Sequence, residues 1–168
     1  MKKSRKEFSQ IYDDFVQRIY RFVFLKVNSQ ETAQDITSET FSRAWTKART
    51  ENQESGVKNW GAFLYQIARN LVIDFYREKG KFQVVSASYV ADPAPLDLEA
   101  KTALNLEMEQ VKKALNKLGQ EQQEVVIWRH LDGLSFKEIS EILGKPEGTI
   151  RVILHRALEN LRNELERA

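Results

Sequence analysis

The chain has 168 residues, of which 42% are hydrophobic and 30% are charged, with three prolines, seven glycines and no cysteine. Without cysteine, the chain cannot form a disulfide scaffold, a thiolate zinc site or a cysteine nucleophile. Its two histidines are too few for a histidine-rich metal cage. No apolar run approaches the roughly 20 residues that span a bilayer, and the basic N-terminus leads into an amphipathic segment rather than a signal core. We therefore expect a cytoplasmic protein with no metal, no cofactor and no membrane insertion.

The net charge of +2 is unevenly distributed along the chain. Residues 1–80 carry 14 basic and 10 acidic side chains, whereas residues 105–168 carry 10 basic and 11 acidic ones. A weak overall charge argues against a protein that coats nucleic acid without specificity. Specific binding depends on local surfaces, so DNA binding through a basic patch stays compatible with this composition.

The first half of the chain has helical apolar spacing. Apolar side chains recur at intervals of three and four along residues 8–23, 33–45 and 60–75, which predicts three long helices with a shared core. Asn28 or Ser29 is expected to cap the second helix, and Gly80 to end the third. The polar stretch 50–59 has no periodicity and is expected to form a loop.

Residues 81–103 interrupt the helical pattern and contain Pro93 and Pro95, which stiffen and extend a chain. Beyond them, residues 104–118 and 125–131 again have helical spacing. We therefore predict an all-α protein with two small helical domains, 1–80 and 104–168, joined by a flexible linker over 81–103. The second is expected to be a four-helix domain that contains a helix-turn-helix.

The helix-turn-helix is the sharpest local signal. Ser135 and Glu138 have the spacing of a capping box, which predicts the start of a short helix. Gly144 suits the left-handed end of that helix, and Pro146 suits the start of the next. Two short helices joined by a tight glycine-containing turn are the arrangement that places the second helix in a major groove of DNA.

The outward face of the second helix carries side chains suited to DNA. Arg151 can donate two hydrogen bonds to a guanine edge, and Val152 can contact a thymine methyl group. Arg156 and Lys145 are candidates for phosphate contacts. The alternative is an ordinary helical hairpin with solvated arginines.

The predicted second helix of the first domain carries three acidic residues at intervals of four. Glu31, Asp35 and Glu39 repel one another at this spacing, and Arg43 is placed to relieve only the last of them. Two interpretations stay open: a surface for a basic protein partner, or a solvated face.

The predicted third helix has a second row of side chains opposite its expected core face. Tyr65, Arg69, Val72 and Tyr76 follow one another at intervals of four, three and four. Aromatic rings beside arginine suit stacking on unpaired bases, and further basic residues are close in sequence. The alternative is that the tyrosines and the valine pack on another helix.

Three stretches together resemble the extracytoplasmic-function (ECF) sigma factors of bacterial RNA polymerase, which belong to the sigma-70 family. The first stretch is AQDITSETF at 33–41, and the second is WGAFL at 60–64 followed by IARN at 67–70. The third includes GLS at 133–135 and GTIR at 148–151. Three signatures in this order are more specific than a helix-turn-helix alone.

The resemblance implies a non-enzymatic promoter-specificity subunit that binds core polymerase and promoter DNA. It assigns the contact with the polymerase clamp coiled coil to Asp35, Ser38 and Glu39. It assigns the single-stranded −10 element to Lys58, Tyr65, Arg69, Asn70, Tyr76 and Arg77. It assigns the duplex −35 element to Lys145, Thr149, Arg151, Val152, His155 and Arg156. The second domain would also meet the polymerase flap, and many family members are held inactive by an anti-sigma factor.

A second hypothesis is a regulator whose helix-turn-helix resembles the LuxR type and which binds duplex DNA without polymerase. A helical nucleic-acid enzyme is disfavoured, because the sequence has no carboxylate cluster, glycine-rich phosphate loop or nucleophile–base pair.

Overall fold

The computed structural model describes residues 5–50, 56–82 and 103–167, and within them it contains seven α-helices, one π-helical turn and no strand. The chain divides into two compact units, Met1–Ala94 and Pro95–Ala168, called unit 1 and unit 2 below. The all-α prediction is confirmed. The predicted linker over 81–103 lies almost entirely outside the described residues, as does the middle of the predicted loop over 50–59.

Unit 1 is built from three long helices that pack pairwise on one another: α1 (Arg5–Val27), α2 (Gln30–Thr50) and α3 (Trp60–Phe82). Each helix contributes an apolar stripe to one shared core, as the spacing predicts. The hydrophobic side chains that are at most 1% exposed in this core are Ile19, Phe22, Val23, Ala33, Ala44, Leu64, Tyr65, Ala68 and Val72.

Asn28 and Ser29, the two candidates for the cap of α2, have different roles in the short connection between α1 and α2. Asn28 adopts a left-handed φ of 55°, and its N–H donates to the carbonyl of Phe24 at 2.8 Å, so it ends α1. The Ser29 hydroxyl accepts from the backbone N–H of Thr32 at 3.3 Å. Ser29 is therefore the residue that caps α2.

The prediction that Gly80 ends the third helix is wrong, because α3 continues through it to Phe82. Gly80 is exposed, and the glycines with positive φ are Gly133 and Gly144 in unit 2. A glycine inside a helix costs only about 1 kcal/mol relative to alanine. It ends a helix only where the backbone turns left-handed, which does not happen at Gly80.

Unit 2 contains α4 (Ala103–Asn116), α5 (Gln120–Val126), α6 (Phe136–Leu143) and α7 (Glu147–Arg167). The long α7 packs against α4, α5 and α6 and so organises the unit. This is the predicted four-helix domain. Its most buried side chains, at 0% exposed, are Glu124, Val125, Ile127, Trp128, Ile139, Ile150 and Ala157.

A π-helical turn over Ile127–Leu131 continues α5 and was not predicted from the sequence. The N–H of Asp132 donates to the carbonyl of Ile127 at 3.0 Å, and the N–H of Leu134 donates to the carbonyl of Trp128 at 2.8 Å. These wide hydrogen-bonded loops carry the chain directly from α5 to the start of α6. Insertions of this kind are frequent at functional sites.

Along 5–50, 56–82 and 103–167, no helix combines the length and the apolar character needed to cross a membrane. The same residues contain no group of three or more histidine, aspartate or glutamate side chains placed to hold a metal ion.

Candidate functional site

The acidic residues of α2 form an exposed row, called the acidic ridge below. Glu31, Asp35 and Glu39 are all exposed, and Ser38 is exposed beside them. The Arg43 Nε lies 2.8 Å from Glu39 Oε1, an ion pair between side chains that are each about half exposed. Exposed pairs of this kind contribute little to stability. The ridge therefore presents negative charge that the fold itself does not need.

An open groove with a volume of about 1120 Å³ runs between α1 and α2 and has Ser38 in its wall. The aromatic side chains in this wall are Phe8, Tyr12, Tyr20, Phe41 and Trp45. Tyr12 is 44% exposed and packs edge-on against Phe41, with ring centroids 4.9 Å apart. Unit 1 thus places an apolar groove beside a negatively charged row, a combination suited to a protein partner.

The prediction that Tyr65, Arg69, Val72 and Tyr76 form an outward row on α3 is wrong for Tyr65 and Val72. Tyr65 is 0% exposed and Val72 is 1% exposed. The Tyr65 ring packs edge-on against Phe22 of α1, with ring centroids 5.6 Å apart. Because α3 packs against both α1 and α2, its buried face is wider than one apolar stripe. Tyr65 is a core residue, and the packing alternative is correct for it.

Tyr76 lies near the end of α3 and is 45% exposed, but its hydroxyl group is bound within the fold. The hydroxyl donates a hydrogen bond to the backbone carbonyl of Lys26, in the last turn of α1. Burial of this end of the side chain raises the pKa of Tyr76 above its ordinary value. The residue joins α3 to α1 and leaves part of its side chain accessible.

The other residues assigned to the −10 element differ in their accessibility. Lys58, Asn70 and Arg77 are exposed, whereas Arg69 is half-buried. Asn70 and Arg77 are seven positions apart and so share one face of α3. Asp74 is also exposed on this face and lowers its positive charge.

The helix-turn-helix of unit 2 has the predicted local geometry. The Ser135 hydroxyl accepts from the N–H of Glu138 and the Glu138 carboxylate accepts from the N–H of Ser135, both at 3.1 Å. Gly144 has the left-handed φ of 66° that ends α6, and α7 begins directly after Pro146. The capping box and the glycine turn are therefore confirmed.

One face of α7 is buried and the other is open. Ile150, Leu154 and Ala157 are buried against the rest of unit 2. The opposite face is exposed over its first three turns, and 48% of Val152 is accessible. Its exposed residues are Thr149, Arg151, Val152, His155, Arg156 and Glu159.

Lys145 is half-buried in the turn between α6 and α7 and already has an anionic partner. Its Nζ lies 2.7 Å from Glu121 Oε2 of α5. Its backbone carbonyl accepts from the Ser140 hydroxyl, which holds the turn in place. A phosphate contact by Lys145 would have to compete with Glu121.

Phe136 is the residue near this face that sequence reasoning missed. It is the first residue of α6, and the guanidinium carbons of Arg129 and Arg151 lie 4.4 and 4.8 Å from its ring centroid. The sequence signal was weak, because the register that brings Arg129 to the ring depends on the unpredicted π turn.

The geometry of both units agrees with a comparison against protein-family models. Residues 11–82 match sigma-70 region 2, and residues 108–161 match sigma-70 region 4. The chain belongs to the sigma-70 family. The two matches lie in the order expected from the three sequence signatures, and together they account for most of the chain. Members of this family are transcription initiation factors rather than enzymes.

Two curated relatives place the chain among sigma factors of RNA polymerase, and the first of them in the ECF group. The chain is 32% identical over 156 residues to the ECF RNA polymerase sigma factor BldN of Streptomyces coelicolor, a match that covers 92% of this chain and 58% of BldN. It is 28% identical over 169 residues to the RNA polymerase sigma factor YlaC of Bacillus subtilis, covering 99% of this chain and 96% of YlaC. The LuxR-type alternative receives no support from these matches.

Solved structures show the same fold. The sigma factor RpoE of Bartonella quintana, solved with the anti-sigma factor NepR, matches with a TM-score of 0.71 and 25% identity, covering 96% of this chain and 98% of RpoE. CnrH, solved with the cytosolic domain of CnrY, matches with a TM-score of 0.70 and 20% identity, covering 97% of this chain and 90% of CnrH.

Proposed function

We propose that the chain directs core RNA polymerase to promoters in the cytoplasm, with a division of tasks between its two helical units. Residues 1–80 would hold the polymerase and the opened −10 strand, residues 104–168 would bind the −35 duplex, and residues 81–103 would link them. The observation that carries this proposal is the presence of sigma-70 regions 2 and 4, in that order, in one chain.

The polymerase contact is proposed for the acidic ridge and its neighbour Ser38. Asp35, Ser38 and Glu39 are exposed on one helix, so they can meet a partner without unfolding the unit. Their negative charge suits a basic surface on the clamp coiled coil. The adjoining apolar groove adds contact area that charge alone does not provide.

The duplex contact is proposed for the exposed face of α7. Arg151 would read a guanine edge and Val152 a thymine methyl, because both lie near the start of the helix, where side chains reach bases. Thr149 and His155 extend this face, and Arg156 would bind phosphate. Lys145 would add a second phosphate contact after exchanging Glu121 for the DNA backbone.

The single-strand contact is proposed for Lys58, Asn70 and Arg77, together with Arg69 and the accessible part of Tyr76. Tyr65 is excluded, because it is buried in the core. Asp74 lies on the same face of α3 as Asn70 and Arg77 and disfavours a nearby phosphate there, so backbone contacts are expected mainly from Lys58. The flap of the polymerase would contact unit 2.

We further propose that an anti-sigma factor regulates the chain. RpoE of Bartonella quintana was solved with such a partner and resembles this chain along nearly its full length. A partner that covered the groove and the acidic ridge would exclude core polymerase from both.

The test is transcription with purified core polymerase on a library of linear templates with randomised upstream sequence. We expect defined transcript starts and an enriched pair of upstream elements only when the chain and core polymerase are both present. Core polymerase alone is the control. Transcription that is independent of the chain, together with tight binding of duplex DNA by the chain alone, would contradict the proposal and favour the regulator hypothesis.

A further inference from the structure

One aromatic ring in unit 2 contacts two cationic side chains. Phe136 is half-buried, and its ring centroid lies 4.4 Å from the guanidinium carbon of Arg129 and 4.8 Å from that of Arg151. The negative face of an aromatic ring attracts a cation within about 6 Å of the centroid. Both arginines are therefore within range of a cation–π contact with the same ring.

The ring and Arg129 belong to a rigid part of the unit. Phe136 directly follows Ser135, whose capping box with Glu138 fixes the first turn of α6. Arg129 lies in the π-helical turn, and its Nη1 donates to the carbonyl of Leu134 at 3.0 Å. Hydrogen bonds therefore hold the backbone at Leu134 and at Ser135, the two residues that precede Phe136.

Arg151 differs from Arg129 in its freedom to move. It is exposed on the open face of α7, where a long side chain samples many rotamers. A guanidinium group presents its hydrogen-bond donors in its own plane. An aromatic ring that stacks on a flat face of the guanidinium group leaves these donors free. The ring can therefore restrict Arg151 and still leave its donors available to a base.

We propose that Phe136 is a positioning residue that holds the Arg151 guanidinium in place for reading a base of the upstream duplex element. This proposal rests on the proposed function of α7. A side chain ordered before binding loses less conformational entropy on binding, so the ring increases the preference for the base that Arg151 reads. Arg129 supports the ring from the π turn.

The first measurement concerns the free, full-length chain. The side-chain NMR signals of Arg151 should be displaced by the ring current of Phe136, and Phe136→Leu should return them toward the position of a solvated arginine. Phe136→Tyr keeps the ring and should keep the displacement. Identical Arg151 signals in the wild type and in Phe136→Leu would overturn the proposal before any DNA is added.

The second measurement uses the chain assembled with core polymerase and a pool of duplexes randomised over the upstream element. Arg151→Ala identifies the position that Arg151 reads. Phe136→Leu should lower the preference at that same position by about two- to fivefold, the ratio that corresponds to one exposed cation–π contact. It should leave the salt dependence of binding unchanged, since no charge is lost.

Phe136→Tyr is the matched control and should retain the wild-type preference. A merely structural role for Phe136 would instead weaken binding to all sequences equally and lower the melting temperature, and that result would overturn the proposal. So would a wild-type preference in Phe136→Leu, or an Arg151→Ala variant without any change of preference. If the wild-type chain itself failed to assemble with core polymerase, the result would count against the proposed function. The NMR measurement would still decide whether the ring holds Arg151.

Discussion

The two units differ in how far local sequence determines which face of a helix is exposed. In unit 2, α7 packs against three helices, but its buried residues Ile150, Leu154 and Ala157 lie on one face, so its buried and open faces follow the apolar spacing. In unit 1, α3 packs against two long helices, and this buries Tyr65 and Val72 beyond the expected stripe. Apolar periodicity therefore locates a face reliably where the buried residues form a single stripe, as on α7, and less reliably where the buried face is wider, as on α3.

The largest effect is expected from Tyr65→Ala, which tests this difference directly. Removing a fully buried aromatic side chain leaves a cavity and should lower the free energy of unfolding by about 3–5 kcal/mol. Urea denaturation followed by circular dichroism measures the loss. Tyr76→Ala is the control on the same helix and should cost less, because Tyr76 is 45% exposed. Unchanged stability together with defective promoter opening would return Tyr65 to the DNA interface.

Reversing the charge at Glu39 should have the next largest effect, on binding rather than on stability. Glu39→Lys places a cation against the basic partner expected for the acidic ridge, and like-charge contacts cost several kcal/mol of binding free energy. We expect loss of co-purification with core polymerase. An exposed pair at this spacing, such as that with Arg43, contributes about 0.3–0.5 kcal/mol, so the melting temperature should fall by only a few degrees.

The control for the ridge is Asp13→Lys, the same charge change at an exposed carboxylate of α1. This variant should retain core polymerase. Equal retention by Glu39→Lys and Asp13→Lys would show that the ridge is a solvated face, which is the other interpretation that the sequence allows.

Arg151 and Arg156 offer a smaller effect that distinguishes base reading from phosphate binding on α7. Arg151→Ala should weaken the free energy of DNA binding by about 1–3 kcal/mol and relax the preference at one base position. Arg156→Ala should weaken binding to all sequences alike and lower the salt slope by about 1. Holoenzyme binding to single-base variants of the upstream element at several salt concentrations measures both. A uniform loss in Arg151→Ala would make Arg151 a phosphate contact.

The smallest effect is expected from Tyr76→Phe, which removes the hydroxyl bond to the Lys26 carbonyl. The free energy of unfolding should fall by about 0.5–1.5 kcal/mol at neutral pH. Because burial raises the folded-state pKa above the ordinary 10.0, this tyrosine's contribution is fully present below pH 10 and is lost as the pH rises through the folded pKa.

Urea denaturation at pH 8 and above pH 10 tests whether the contribution of the Tyr76 hydroxyl to stability falls as the pH rises. Tyr76→Phe should lose less stability between the two pH values than the wild type does. Tyr12→Phe, at an exposed tyrosine of α1, should follow the wild type. An identical decline in Tyr76→Phe and the wild type would mean that the hydroxyl bond contributes nothing.

Short-range signals explain why so much of unit 2 was predictable. The capping box of Ser135 and Glu138 and the left-handed turn at Gly144 depend on residues within a few positions of one another. Their geometry follows from backbone hydrogen bonding and steric limits that act locally. The same kind of signal misled at Gly80, where the residue is tolerated inside a helix that continues.

The sequence by itself determined the all-α class, the positions of the long helices, the acidic ridge and the exposed face of α7. These features follow from the 3.6-residue period and from local capping chemistry. Only the tertiary structure decided that Tyr65 is a core residue, that the Tyr76 hydroxyl bonds to α1, and that the Phe136 ring is close to two arginines in space. The partners in each case come from separate helices or from an unpredicted π turn, and no local pattern encodes how helices pack against one another.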